Sequence, residues 1–257
     1  MKVSVLNLVP LRHGESFKDA MDAMVRLAKR VEDLGYTRYW IAEHHNMRSI
    51  ASSATQLLIQ HTLANTKKIR VGSGGVMLPN HSPYLIAEQY GTLETLYPNR
   101  VDLGLGRAPG TDVPTAMALR RTKDLKTDFE RDLAELSGYF KGSNYVQAYP
   151  AHGLYLPFYI LGSSTDSAYL AAKLGLPYSF AAHFAPAMME NAIAIYNRYF
   201  QPSAILDKPY VILGVNAILA DTDEEAKRLS TTMIQSFLNI VTSNQKGLMP
   251  PLQSEEA

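Results

Sequence analysis

The run Arg38-Tyr39-Trp40-Ile41-Ala42-Glu43-His44-His45 starts as a short stretch that a strand can bury and ends as a cluster of ionisable groups. Similar junctions recur along the chain. Ile69-Arg70-Val71 leads into Ser73-Gly74-Gly75, and Val101-Asp102-Leu103 into Gly104-Leu105-Gly106-Arg107. Pro157-Phe158-Tyr159-Ile160 leads into Leu161-Gly162-Ser163-Ser164, and Pro177-Tyr178-Ser179-Phe180 into Ala181-Ala182-His183. Helical stretches separate the junctions. This order predicts parallel strands joined by helical crossovers: an α/β fold of the (β/α)8 TIM-barrel type, with its chemistry at the C-terminal ends of the strands.

Working outward, Val3 to Leu8 reads as a first strand. Ser16 caps a helix to about Leu34, with apolar residues from Phe17 to Val31 at three- and four-residue spacing and Gly35 as its stop. Further helices are expected over Ser53–Asn65, Tyr84–Leu96 behind Pro83, Asp124–Phe140, Ser167–Leu174, from Pro186 to Phe200, and from Asp221 or Thr222 to Val241. A short helical piece is expected over Ala116–Arg121, inside the loop Ala108–Thr122. The Tyr- and Pro-containing excursion Gly142–Gly153 suggests a small β element on the rim. With Tyr210–Leu219 as a long last strand, the count reaches seven, whereas a closed barrel needs eight. The expectation is one TIM-barrel domain over 1–257, incomplete at its C-terminal end, with an eighth strand beyond the polar, Pro-containing tail that ends at Glu255-Glu256-Ala257.

The 257 residues suit one large α/β barrel, and 46% hydrophobic residues can fill its core. No apolar run approaches the roughly 18 residues of a membrane span, and Met1 to Leu6 lacks the features of a signal peptide. With no cysteine, disulfides, thiolate metal sites and a cysteine nucleophile are excluded. A cytoplasmic location is the simplest reading. A formal charge of +1 with interspersed signs argues against nucleic-acid binding.

Glu43, His44 and His45 offer acid/base groups or metal ligands, and equally fit a helix cap with surface histidines. Neighbouring residues on a strand point to opposite faces, so His44 and His45 should not share one metal ion, and no metal site is expected. Ser73-Gly74-Gly75 permits close approach of a flat or phosphorylated ligand, or simply a tight turn. Gly106-Arg107 adds a forked cation suited to a phosphate or ring carbonyl; an ion pair with a rim carboxylate serves it as well. Ser163, Ser164 and Thr165 open a helix, where free N–H groups bind anions, though plain capping would use one of them. His183 ends its strand as either a ligand contact or a rim histidine. Met21, Met24, Met188, Met189, Tyr196 and Tyr199 fall at helical spacing and read as core. Neither GxSxG nor HExxH occurs, and Pro109 stands where a dinucleotide fingerprint needs its third glycine.

These motifs resemble the bacterial luciferase-like monooxygenase family, in its single-component, flavin-dependent branch. The resemblance rests on Ala42-Glu43-His44-His45-Asn46, Val71 to Pro79, Leu103 to Thr111, Leu161 to Ser164 and Ala182 to Pro186, in that order, and runs from Met1 to about Thr242. It implies a TIM barrel that binds reduced FMN non-covalently at the strand C-termini. A separate flavin reductase supplies the cofactor, oxygen adds at flavin C4a, and the resulting (hydro)peroxide oxidises a small organic substrate. His44 matches the catalytic histidine, with Glu43 and His45 orienting it or lining the mouth. Gly74-Gly75 match a non-proline cis peptide behind the flavin ring. Gly106 replaces luciferase's reactive cysteine. Arg107 matches a flavin-contacting arginine, and Ser163, Ser164 and Thr165 fall at the phosphate turn. The resemblance further implies a homodimer, through the Tyr84–Leu96 or the Phe17–Leu34 helix.

Three other readings compete. A deazaflavin (F420) enzyme transferring hydride would use the same barrel. A metal-dependent barrel hydrolase would use Glu43, His44, His45 and His183, but such enzymes favour an HxH pair. A flavin-binding protein without catalysis would not need His44.

Overall fold

The computed structural model describes residues 1–120, 126–242 and 246–253. Seven strands form one parallel sheet in chain order: β1 (Ser4–Asn7), β2 (Arg38–Ile41), β3 (Arg70–Met77), β4 (Val101–Gly106), β5 (Phe158–Gly162), β6 (Tyr178–Phe180) and β7 (Val211–Leu213). The helices are α1 (Phe17–Asp33), α2 (Thr55–Asn65), α3 (Pro83–Leu96), α4 (Val113–Arg120), α5 (Phe129–Lys141), α6 (Thr165–Leu174), α7 (Met189–Tyr199) and α8 (Asp223–Val241). The sheet curls into an open TIM-barrel arc, as the repeated strand–helix order predicts.

Local chemistry explains these elements. Ser16 and Asp19 form a reciprocal capping box at α1, each side chain meeting the other's backbone N–H. The buried stripe Ala20, Met24, Ala28 and Val31 then lies along one face of that helix. Thr222 caps α8 at the Glu225 N–H, and three acids in its first turn complement the helix dipole. Alternation divides each strand between two cores. Tyr39, Ile41, Val71, Leu103, Leu105, Ile160 and Phe180 are buried within one hydrophobic cluster that includes the helices. Arg38, Trp40, Asp102 and Tyr159 alternate with them and meet one another inside the arc.

Several sequence expectations are corrected. β3 runs past its glycines to Met77 and β4 runs through Gly104 to end on Gly106, because Val76 and Met77 still pair with Leu105 and Gly106 after a register slip between Ser73 and Val76. β7 ends at Leu213 rather than Leu219. The Gly142–Gly153 excursion is built of turns and carries no strand. The short helix expected over Ala116–Arg121 begins earlier, at Val113. Of the described residues, those of the next helix begin at Phe129, where Asp128 accepts from the Arg131 N–H. Arg121, Thr122 and Asp124, the bounds expected there, lie outside the described residues, as does the end of the tail. Met24 and Tyr196 are core, as their spacing suggested, whereas Met188 and Tyr199 are exposed.

β1 and β7 pair on one side only among the described residues. At the mouth, the segment 246–253 spans from α8 back toward β1. Leu248 exchanges backbone hydrogen bonds with Leu11 and His13, and Thr232 and Gln235 donate to Met249 and Pro250. No helix among the described residues is long and apolar enough to cross a membrane.

Candidate active site

Two strands supply the floor. The Gly74–Gly75 peptide is cis, as the resemblance implied. A Cβ at Gly74 would stand 2.6 Å from a Leu6 methyl and 3.1 Å from Trp40 Cβ, and one at Gly75 would stand 2.8 Å from the Gly104 carbonyl oxygen. At Gly75 the backbone of β4 leaves room for glycine alone, whereas at Gly74 a Cβ would crowd Leu6 and Trp40. Ser73 sits beside it but is fully buried. Its hydroxyl donates to the Gly104 carbonyl at 2.9 Å and accepts the Gly104 N–H at 3.1 Å. Both its hydrogen-bonding directions join β3 to β4, so Ser73 pins the floor rather than facing a ligand.

The chain after β2 carries the ionisable cluster. Glu43 is fully buried, and its Oε1 receives both His45 Nε2 at 2.8 Å and His81 Nε2 at 2.7 Å. Its Oε2 accepts the Met77 N–H at 3.2 Å. Burial alone would raise the Glu43 pKa, but the two imidazoles more than offset it and hold the carboxyl below its usual value. Glu43 therefore orients His45 and His81 rather than His44, so of the two roles the resemblance implied for Glu43 and His45 the hydrogen bonds leave lining the mouth. His44 Nδ1 is buried with no hydrogen-bond partner. Burial lowers the His44 pKa, with His45 adding to that effect and the Glu43 charge opposing it, so the ring is held neutral.

Arg107, just past β4, pairs with Asp166 at 3.2 Å, both side chains largely exposed. That is the rim ion pair, and it places the guanidinium beside the first turn of α6. Ser164 is the N-cap residue of α6, yet no side chain caps that end. Ser167 Oγ instead donates to the Ser164 carbonyl at 2.8 Å. Thr165 is the first helical residue, and Ser163 precedes the cap. Gly106 closes β4 and is buried, its missing Cβ facing Met77 Sδ at 3.3 Å. His183 stands apart from the Glu43 cluster, beyond β6. Its N–H donates to the Gly214 carbonyl at 2.6 Å, while its Nδ1 is buried without a partner.

Sequence reasoning missed His81 and Asp166. His81 lies on the short link between β3 and α3, immediately before Ser82-Pro83, and reaches Glu43 only because β2 and β3 are neighbours. Its sequence signal was a histidine shortly after the Ser73-Gly74-Gly75 junction, on the extension of β3. Asp166 carried none beyond its place in the first turn of a helix.

An open α/β barrel with glycines and histidines gathered at its strand C-termini defines the class, and comparison with known proteins supplies the family. Residues 1–256 match the family described as luciferase-like monooxygenase, and the chain belongs to that oxidoreductase family. A luciferase-like monooxygenase of Escherichia coli (strain K12) is 50% identical, the match covering 98% of this chain and 76% of that protein. The crystal structure of apo-MsnO8 superimposes with a TM-score of 0.92 at 35% identity, over 97% of this chain and 75% of that one. The fold also occurs in the FMN-bound oxygenating constituent of 3,6-diketocamphane monooxygenase from Pseudomonas putida. There the TM-score is 0.74 at 19% identity, over 95% and 75% of the two chains. It occurs too in an F420-dependent tetrahydromethanopterin reductase from Methanopyrus kandleri, with a TM-score of 0.62 at 15% identity over 95% and 75%.

Proposed function

We propose that this chain is a flavin-dependent monooxygenase that uses reduced FMN and dioxygen to oxidise a small organic substrate. The observation that carries the reading is the buried, unpartnered Nδ1 of His44 at the same strand ends as the tightly packed Gly74–Gly75 floor. An orphaned polar atom in a buried position calls for a partner, and the close packing of Gly75 on the Gly104 backbone leaves a flat main-chain floor beside it. The residues present thus fit the cofactor. The main chain at Gly74, Gly75 and Gly106 would lie against the ring. Arg107, with the uncapped N–H groups of α6 around Ser163, Ser164 and Thr165, would hold the phosphate.

When bound, reduced FMN supplies the electrons that activate dioxygen, chemistry that side chains lack. The protein's part is orientation and proton control. His44, held neutral by burial, can accept or return a proton at Nδ1. Glu43 fixes His45 and His81, which wall the mouth and limit water. Arg107, now paired with Asp166, would turn to the phosphate. A separate flavin reductase and a homodimer belong to the same proposal. The exposed Leu85 and Leu96 of α3, or Phe17 and Leu27 of α1, offer apolar contact for a second copy.

Anaerobic titration with reduced FMN, followed by admission of air, tests the reading. Saturable binding and a transient absorbance band distinct from oxidised flavin are expected. Binding of reduced F420 with no affinity for FMN overturns it in favour of hydride transfer.

A further inference from the structure

Glu43, His45 and His81 bring three ligand atoms within 4.8 Å of one another. Adjacency argues against a metal shared by His44 and His45, and His44 indeed makes no hydrogen bond to this cluster. The second imidazole comes from another strand end instead. Both Nε2 atoms aim at one carboxylate oxygen, at 2.8 and 2.7 Å. The other oxygen is held by the Met77 N–H at 3.2 Å, which fixes the carboxylate plane much as an outer-shell partner fixes a metal ligand. The carboxylate is fully buried, while the His45 and His81 side chains keep 12% and 22% of their surface exposed. The cluster is therefore anchored inside and open on the outside.

Two imidazole nitrogens and one carboxylate oxygen form a donor set that zinc-class ions accept in sites with an open fourth position. We propose that Glu43, His45 and His81 bind one divalent transition-metal ion of the zinc class. Each imidazole moves its proton from Nε2 to Nδ1, so a lone pair replaces the N–H and the ring stays neutral. Bonds of about 2.0–2.1 Å in tetrahedral array set neighbouring donors about 3.3 Å apart, so each oxygen–nitrogen contact opens by about 0.5 Å. His81 stands on the short link ahead of α3 and is placed to make that adjustment. The remaining position faces the mouth, where water or an anion completes the shell. The site goes beyond the flavin reading: its ligands Glu43, His45 and His81 wall the mouth, but it needs neither Arg107, nor His44, nor the glycine floor.

Cobalt(II) is the probe. Chelator-stripped protein titrated with cobalt chloride should develop visible ligand-field bands that saturate at one equivalent and are bleached by zinc chloride. His81→Ala, His81→Asn and His45→Ala should each weaken binding by at least about tenfold, since losing a ligand costs no less than losing an outer-shell partner. Circular dichroism establishes that each variant is folded. X-ray absorption on zinc-loaded wild-type protein should show two imidazoles and one carboxylate, which needs no variant. Absence of bands in the wild type, unchanged affinity in both folded His81 variants, or a shell without two imidazoles overturns the proposal.

Discussion

Arg107 and Ser73 stand within the same cluster of strand ends but should behave oppositely on substitution. Arg107 is exposed, and its rim ion pair with Asp166 adds little to stability. Arg107→Gln should leave the urea midpoint unchanged and weaken reduced-FMN binding by roughly tenfold, as loss of a charge-assisted hydrogen bond implies. Equal affinity in a fluorescence titration would remove Arg107 from the phosphate site. Ser73 is fully buried, and its hydroxyl bonds both backbone groups of Gly104. Ser73→Ala should cost about 1–3 kcal/mol in urea unfolding, because buried backbone groups lose a partner, yet the folded protein should keep its flavin affinity. For His44, replacement by alanine should slow proton-dependent steps by roughly 10²–10⁴-fold while reduced FMN still binds. Stopped-flow absorbance after admission of air reads the difference. Unaltered rates would remove His44 from proton transfer, and with it the argument against a flavin-binding protein without catalysis.

The elements are held by close contacts that admit little change. Gly91 lies in α3, and a Cβ there would meet the Ala151 backbone nitrogen and Cα at 2.6 Å. The 142–153 excursion is thereby packed directly on the helix. Gly91→Ala should destabilise by about 1–3 kcal/mol despite alanine's better helix propensity, because backbone cannot move aside as a flexible side chain can. A rise in melting temperature would contradict that packing. Glu32, near the end of α1, receives the N–H groups of Lys67, Lys68 and Ile69 ahead of β3, at 2.5 to 3.1 Å. Burial would raise its pKa, yet those three donors, with the Arg100 charge, hold it below the usual glutamate value. A depressed carboxylate stabilises the fold above its unfolded pKa and loses that contribution as pH falls through the folded value. Wild-type stability should therefore decline below about pH 4.5, and Glu32→Gln should be weaker at neutral pH with a shallower acid decline. Parallel urea curves for the two proteins from pH 7 to pH 3 would contradict it.

Across the whole molecule, the arc is tied internally by polar contacts. Asp102, fully buried on β4, accepts from Arg38 Nε at 3.0 Å, Arg70 Nε at 2.8 Å and Trp40 Nε1 at 3.1 Å. Arg38 continues to the Tyr159 hydroxyl at 3.1 Å and the Tyr210 hydroxyl at 3.3 Å. Burial, with the Asp102 charge, pushes the Tyr159 phenol up to about 12, so it stays a neutral partner. One carboxylate thus joins β2, β3 and β4, and through Arg38 the chain at β5 and ahead of β7. Asp102→Asn should cost about 3–5 kcal/mol, since removing one partner strands buried guanidiniums. A loss below about 1 kcal/mol would show that water satisfies them. The proposed homodimer belongs to this scale as well, and a monomeric mass in light scattering would remove it.

The order of strands, the parallel fold and the places where chemistry gathers were legible along the chain, because strand and helix periods and their polar junctions are local properties. Glycine spacing likewise marked the Gly74–Gly75 floor and the close of β4. The lengths of β3 and β4 were not legible, since pairing through glycine depends on the neighbouring strand. Nor were the partners. Glu43 and His45 are adjacent enough to suggest cooperation with His44, yet the carboxylate turns to His81, on a different strand's extension. Asp102 gave no sign of two arginines, and Ser73 was indistinguishable from a ligand contact. Sequence alone therefore determined which residue types stand at the ends of the strands. The tertiary structure decided which of them touch, because lateral strand neighbours are set by the curl of the sheet and side-chain partners by what that curl brings within hydrogen-bonding distance.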